Sequence, residues 1–184
     1  MNDLLLLATL LGGRMHGYAL KKQAGLIVGQ AEIHNNLVYP LLRRFVDNGW
    51  VSKRAAAGKR GQTREVYELT PRGKRELLRR LTVFTEKEAG SESEFNLRVG
   101  LFVVLDRGAR ERILRERERW LAAREERLAN LTENLDVGMW GGKVVGYMRE
   151  RVKAERKWIA GLEREVKRES GGKRQVRATR SEKP

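Results

Sequence analysis

The sequence contains no cysteine. Disulfides, zinc–thiolate sites and thiol catalysis are therefore excluded together. Histidine is nearly as scarce: His16 and His34 are the only two, and neither stands at metal-ligand spacing with another ligand type. No glycine loop is built to cradle a phosphate, because LGGRMHG (11–17) lacks the Lys-Ser/Thr of a P-loop. No enzymatic activity, metal or cofactor is expected. The run LLLLATLL (4–11) is too short to span a bilayer. Asp3 precedes it where a signal peptide would carry basic residues. The expectation is a cytoplasmic protein with no membrane partner.

What the chain has in excess is positive charge. Thirty-nine Lys and Arg stand against 24 Asp and Glu, a formal net charge of +15 with pI ≈ 10.6. That balance favours a polyanionic partner, nucleic acid or an anionic surface. The charge is uneven. Residues 1–82 hold 15 basic and 6 acidic side chains, residues 83–169 hold 19 and 17, and residues 170–184 hold 5 and 1. The field thus belongs to the first part and the tail, while the middle is charged but nearly balanced, as in salt-bridged helices. A length of 184 residues bounds the chain to one or two small domains.

Local signals divide the chain further. NDLLLLATLLGG (2–13) carries a start and a stop for one buried helix. MHGYALKKQAGLIVG (15–29) is expected to form a second helix, with His16 capping or packing at its start. AEIHNNLVYPLLRRFVDNGWV (31–51) is expected to form a third, with Gly49 near its C-cap. The period then changes. Trp50–Arg54 and Arg64–Leu69 read as strands around a polar loop rich in Gly, Lys and Arg, which is a hairpin with a basic tip. Thr70 and Pro71 open a fourth helix as N-cap and first helical residue. Three helices, a basic hairpin and a helix describe a winged helix-turn-helix.

EKEAGSESEFN (86–96) reads as a polar boundary. Residues 97–105 fit either a helix start or a packed connector. Beyond them, Leu114, Leu121, Leu128 and Leu135 repeat every seven residues. Val145, Met148, Val152, Ile159, Leu162 and Val166 keep the spacing of heptad a and d positions, interrupted at Glu155. DVGMWGG (136–142) is expected to turn between these two helices. The expected organisation is a DNA-binding domain over 1–82, a connector over 83–96, a helical domain over 97–169 and a disordered basic tail over 170–184. The fold class is mainly α, with an antiparallel, coiled-coil-like second half.

NNLVYPLLRRF (35–45) raises the functional question. Pro40 inside a helix removes a ladder bond, which costs little only in the opening turns. With a start near Asn35 or Asn36, His34, Asn35, Asn36 and Tyr39 crowd the electropositive end of the helix, where a phosphate or a base edge can be met. Arg43 continues that face. Lys59, Arg60 and Arg64 follow on the hairpin, where such side chains track phosphates or enter a minor groove. The stretch alone fits equally an ordinary core helix with solvated arginines.

Residues 4–81 resemble the winged-helix domain of PadR-family transcriptional regulators. The match rests on MHGYALKK (15–22), on LVYPLLRRF followed by NGWV (37–45, 48–51) and on TREVYELTPRGK (63–74). The resemblance implies a homodimeric regulator of double-stranded DNA, read as a repressor on a palindromic operator. Its third helix would lie in the major groove, and its wing on the flanking backbone. It implies phosphate contacts for Tyr39 and Arg64, and a packing role for Tyr67 and Leu69. HNNL (34–37) departs from the family's Ser-Pro-Gly-Ser/Thr stretch, so the operator sequence is not carried over. Ala19 replaces the family's usual Glu. Longer relatives dimerise through a C-terminal helical domain, which the two heptad seams would suit. Trp120, Trp140, Tyr147 and Trp158, beside Met148, are candidates to line a site for a small aromatic or hydrophobic effector, although such residues more often form core. The alternative function is a basic, non-enzymatic interaction protein that holds RNA or an anionic surface.

Overall fold

A computed structural model describes residues 2–27, 29, 33–57, 63–134 and 138–178. The chain forms two compact units. One comprises residues 1–83 and 93–105, the other 84–92 and 106–184.

In the first unit, α1 (Asn2–Thr9) runs into a 3₁₀ turn (Leu10–Gly12). Leu4, Leu5, Leu6, Leu7 and Leu10 are all buried, so the helix that is apolar on every side is the centre of this unit's own core. A two-residue strand, β1 (Met15–His16), leads into α2 (Gly17–Ile27). α3 (Asn35–Asp47) packs Val38, Leu42 and Phe45 inward. β2 (Val51–Ala57) and β3 (Thr63–Leu69) form the hairpin, and β1 pairs with the other edge of β3, giving the order β1-β3-β2. Tyr67 lies opposite both Met15 and Lys53. α4 (Pro71–Thr82) then returns to α1, burying Leu77 and Leu81.

The start of α4 is held as its composition predicts. The Thr70 hydroxyl accepts from the Gly73 amide at 3.0 Å and donates to the Gly49 carbonyl at 2.7 Å. Gly49 has φ 68°, the left-handed conformation that glycine tolerates, and the Trp50 amide closes back onto the Phe45 carbonyl at 2.8 Å. NGWV and LTPRG are thus two halves of one joint between α3, β2 and α4.

Several boundaries differ from the sequence reading. Met15 and His16 are strand rather than helix, because β3 offers a free edge for two residues. α3 begins at Asn35, as expected, with His34 as an N-cap that makes no side-chain capping bond. Pro40 is therefore the sixth helical residue, and its cost is one ladder bond. The polar stretch 86–96, read as a boundary, carries regular structure. It holds α5 (Glu86–Ala89), closed by a reciprocal Thr85–Glu88 capping box, and most of α6 (Glu92–Gly100). Residues 93–105 belong to the first unit, where Phe95 and Leu97 are buried. Arg98 anchors them by pairing with Glu94 at 2.7 Å and donating to the Val83 carbonyl at 3.0 Å. A 3₁₀ turn (Phe102–Val104) ends this segment.

The second unit is built from α5, α7 (Arg107–Asn134) and α8 (Gly138–Ala178). α7 and α8 run antiparallel, as ion pairs from Arg110 to Glu169, Arg117 to Glu155 and Arg156 to Glu118 and Glu125 require. The seams meet largely as the heptads predict: Leu114, Leu121 and Leu128 on α7 and Val145, Val152, Ile159 and Val166 on α8 are buried, whereas Met148 and Leu162, expected on the same seam, are only half-buried. Leu135 lies outside the described residues. α8 already includes Met139–Gly142, expected as turn, and continues to Ala178, where an irregular tail was expected from residue 170. Among the described residues, no helix is long and apolar enough to cross a membrane.

Candidate nucleic-acid interface

α3 is strongly two-sided. Val38, Leu42 and Phe45 fix one face in the core, so His34, Asn36, Leu37, Tyr39, Pro40 and Arg43 are turned outward. Arg43 and Arg44 part company here. The Arg44 guanidinium binds Asp3 of α1, and Arg80 of α4 reaches the same carboxylate at 3.1 Å. Arg43 makes no ion pair with any other described residue and remains exposed on the outer face.

Tyr39, 45 % exposed, is held at the edge of that face by glycine. A Cβ on Gly17 would lie 3.1 Å from the Tyr39 ring and 3.5 Å from Tyr67, so the ring occupies the space a side chain at position 17 would fill. This accounts physically for the glycine of MHGY. Behind Tyr39, the Tyr67 hydroxyl donates to Glu65 at 2.8 Å. Burial, and then that hydrogen bond, raise the Tyr67 phenol far above its ordinary range, so it stays a proton donor. Hydrogen bonds from Lys53 on β2 and from Tyr67 hold the Glu65 carboxyl below its ordinary value.

Tyr39 from α3 and Arg64 from β3 open into one cleft of about 500 Å³, shared with His16, Tyr18, Glu65 and Tyr67. Arg64 is exposed and makes no ion pair with another described residue. The structure thus brings Tyr39 together with Arg64, and sets His34, Asn36 and Arg43 along the adjoining helix face. Lys59 and Arg60, expected at the hairpin tip, lie outside the described residues, as does the side chain of Asn35. His16 and Tyr18 were missed by the sequence reading; the only signal was their place in MHGY, beside the glycine.

The effector candidates separate. Trp120 and Tyr147 line one pocket of about 200 Å³ in the second unit, with Met148, Arg117, Arg124 and Arg151. Trp120 lies between the guanidiniums of Arg117 and Arg124, at 5.0 and 5.2 Å. Trp140 and Trp158 do not join it. Nor are these side chains core: Trp140, Tyr147 and Trp158 are 71 %, 63 % and 44 % exposed. Their spacing with Val144 puts all four on one stripe of α8, displaced from the buried seam. Among the described residues, no group of three or more His, Cys, Asp or Glu converges as a metal site would.

Residues 6–79 match the model of the transcriptional regulator PadR-like family. Solved structures are similar as well. A transcriptional regulator of Thermoplasma acidophilum is 33 % identical over 41 % of this chain and 72 % of its own, with a TM-score of 0.38. Bacillus subtilis PadR in complex with operator DNA is 22 % identical over 89 % of this chain and 98 % of its own, with a TM-score of 0.44. A PadR-family regulator of Clostridium difficile is 23 % identical over 41 % and 78 %, with a TM-score of 0.36. No curated protein matches the chain.

Proposed function

Because the chain belongs, through residues 6–79, to the PadR-like family of transcriptional regulators, we propose that it binds double-stranded DNA sequence-specifically and represses transcription as a homodimer. The observation that carries this reading is the union of Tyr39 and Arg64 in one open cleft beside the exposed face of α3. The outer face of α3 enters the major groove, where His34, Asn35, Asn36 and Arg43 meet base edges and phosphates. Arg64 holds the flanking backbone, and Lys59 and Arg60 extend that grip along the wing. Such a protein works in the cytoplasm, alongside its DNA. The operator is palindromic, because two copies related by a two-fold axis present identical helices about one turn, ~34 Å, apart. The exposed stripe of Trp140, Val144, Tyr147 and Trp158 supplies the apolar face for the second copy. A small aromatic effector fits the pocket between Trp120 and Tyr147 and is read by quenching of Trp120 fluorescence.

Selection of bound fragments from a random duplex pool tests the central reading. A symmetric motif with half-sites one turn apart is expected. In binding assays on that motif, Arg64→Ala weakens all sequences alike, whereas Asn36→Ala changes the preference among operator variants. Equal loss for both variants across the library overturns the division of roles. Stronger binding to RNA or anionic vesicles than to any duplex replaces the reading with that of a general anion-binding protein.

A further inference from the structure

We propose that the cleft between β1, α2, α3 and β3 seats one DNA phosphate, and that His16 is one of its ligands and takes up a proton as the phosphate binds. The inference rests on the DNA-binding reading above and adds a ligand and a pH dependence to it.

The cleft has the chemistry of a monoanion site. Arg64 supplies fixed positive charge, and the hydroxyls of Tyr18 and Tyr39 supply neutral donors. Glu65, the one carboxylate among the described residues that line the cleft, is already engaged by Lys53 and by the Tyr67 hydroxyl, so its charge is answered on the neighbouring strand. Tyr39 is fixed in place against Gly17, and the β1–β3 register sets His16 opposite Val66, two residues from Arg64 on the same strand. The ligands therefore stand on strands and helices rather than on a loose loop.

His16 is oriented by the backbone. Its Nδ1 lies 3.2 Å from the Glu65 carbonyl oxygen. A carbonyl only accepts, so Nδ1 carries a proton in both charge states of the ring. The remaining nitrogen, Nε2, decides what the ring offers an anion. Neutral, it presents a lone pair and repels a phosphate oxygen. Protonated, it presents a second N–H and a full charge. The groups around it are Arg64, Glu65 and Tyr67 from β3, Tyr39 from α3 and Tyr18 from α2. A DNA phosphate brings one negative charge between Arg64 and the ring, which favours the protonated form of His16, so phosphate binding and proton uptake favour each other.

The test measures the anisotropy of a labelled mixed-sequence duplex of about three helical turns, because phosphate contacts are independent of sequence. The full-length chain is compared with His16→Gln and His34→Gln. Wild-type affinity is expected to rise several-fold between about pH 8 and about pH 6, the range in which imidazole charges. His16→Gln loses most of that rise. His34→Gln keeps the rise, whatever affinity it loses. His16→Lys, permanently charged, binds at the higher pH as tightly as wild type does at the lower. A His16→Gln chain with the full wild-type pH response, or a His34→Gln chain without it, overturns the assignment alone. A wild-type chain that binds no duplex at any pH overturns the DNA-binding reading and the assignment together.

Discussion

A Cβ built on Gly73 would lie 1.9 Å from the Trp50 carbonyl oxygen and 2.9 Å from Leu69, and both neighbours are fixed in the joint between β2 and α4. Gly73→Ala must push the start of α4 away from that joint and strain the Thr70 cap. The expected loss is about 3 kcal/mol, a fall of more than ~10 °C in the melting temperature. Gly12→Ala, where a Cβ meets nothing within 4 Å, is the matched control and should melt close to wild type. Thr70 and Pro71 were legible in the sequence because a cap is a local device. The glycines of MHGY and LTPRG were legible only as motif letters, since what excludes a side chain there lies at Tyr39 and Trp50, far along the chain. Glu76 carries a second prediction at this scale. Hydrogen bonds from Arg79 and Arg80 outweigh its burial and lower its pKa from 4.5 to about 2. A lowered pKa stabilises the fold above 4.5, and that contribution is lost as pH falls toward about 2. Thermal melts should therefore show Glu76→Gln less stable than wild type near neutrality, with the gap closing as pH is lowered through this window.

Among the elements, the α7–α8 hairpin was the most legible, because a seam repeated every seven residues survives errors at either end. Its one irregularity, Glu155, has a structural partner. Arg117 of α7 is 3 % exposed, forks onto Glu155 at 2.7 and 2.8 Å and also donates to the Ala89 carbonyl of α5. The pair ties α5, α7 and α8 at one register. Glu155→Ala should cost roughly 3–5 kcal/mol by leaving a buried guanidinium without its counter-charge, whereas Arg117→Met with Glu155→Leu should recover most of that loss. Denaturant midpoints of wild type and the two variants decide this, and a Glu155→Ala midpoint equal to that of wild type would show that the pair adds little. The elements that escaped the sequence were those whose cause is distant. β1 is two residues long and exists only because β3 has an edge to fill. α5 and α6 look polar in sequence, yet Ala89, Phe95 and Leu97 are buried. The site divides in the same way. The apolar period of α3 holds at Leu42 and Phe45 but not at Leu37, which is exposed while Val38 takes the core position; the cleft that joins α3 to β1 and β3 required the strand order.

For the whole molecule the governing quantities are a net charge of +15 and an apolar stripe that a single chain leaves exposed. Charge of one sign opposes self-association, so the proposed homodimer would need a concentrated apolar contact, and the exposed Trp140, Val144, Tyr147 and Trp158 lie within about five turns of α8. Like charge then becomes useful on DNA. Each phosphate neutralised adds about 0.9 to the slope of log K against log salt, so two protomers bound together should show twice the slope of one. Replacing Tyr147 and Trp158 by Glu puts two acids on the stripe while leaving the buried seam of α8 untouched. Sedimentation equilibrium is expected to find a dimer for wild type and a monomer for the double variant. On the selected operator, the variant's salt slope should fall to about half, with the preference for a symmetric site lost, because each monomer then reads its half-site alone. A variant that remains dimeric would move the two-fold contact off this stripe. A variant that becomes monomeric but keeps the full slope would show that one protomer supplies all the phosphate contacts, and that the second copy adds nothing to the grip on DNA.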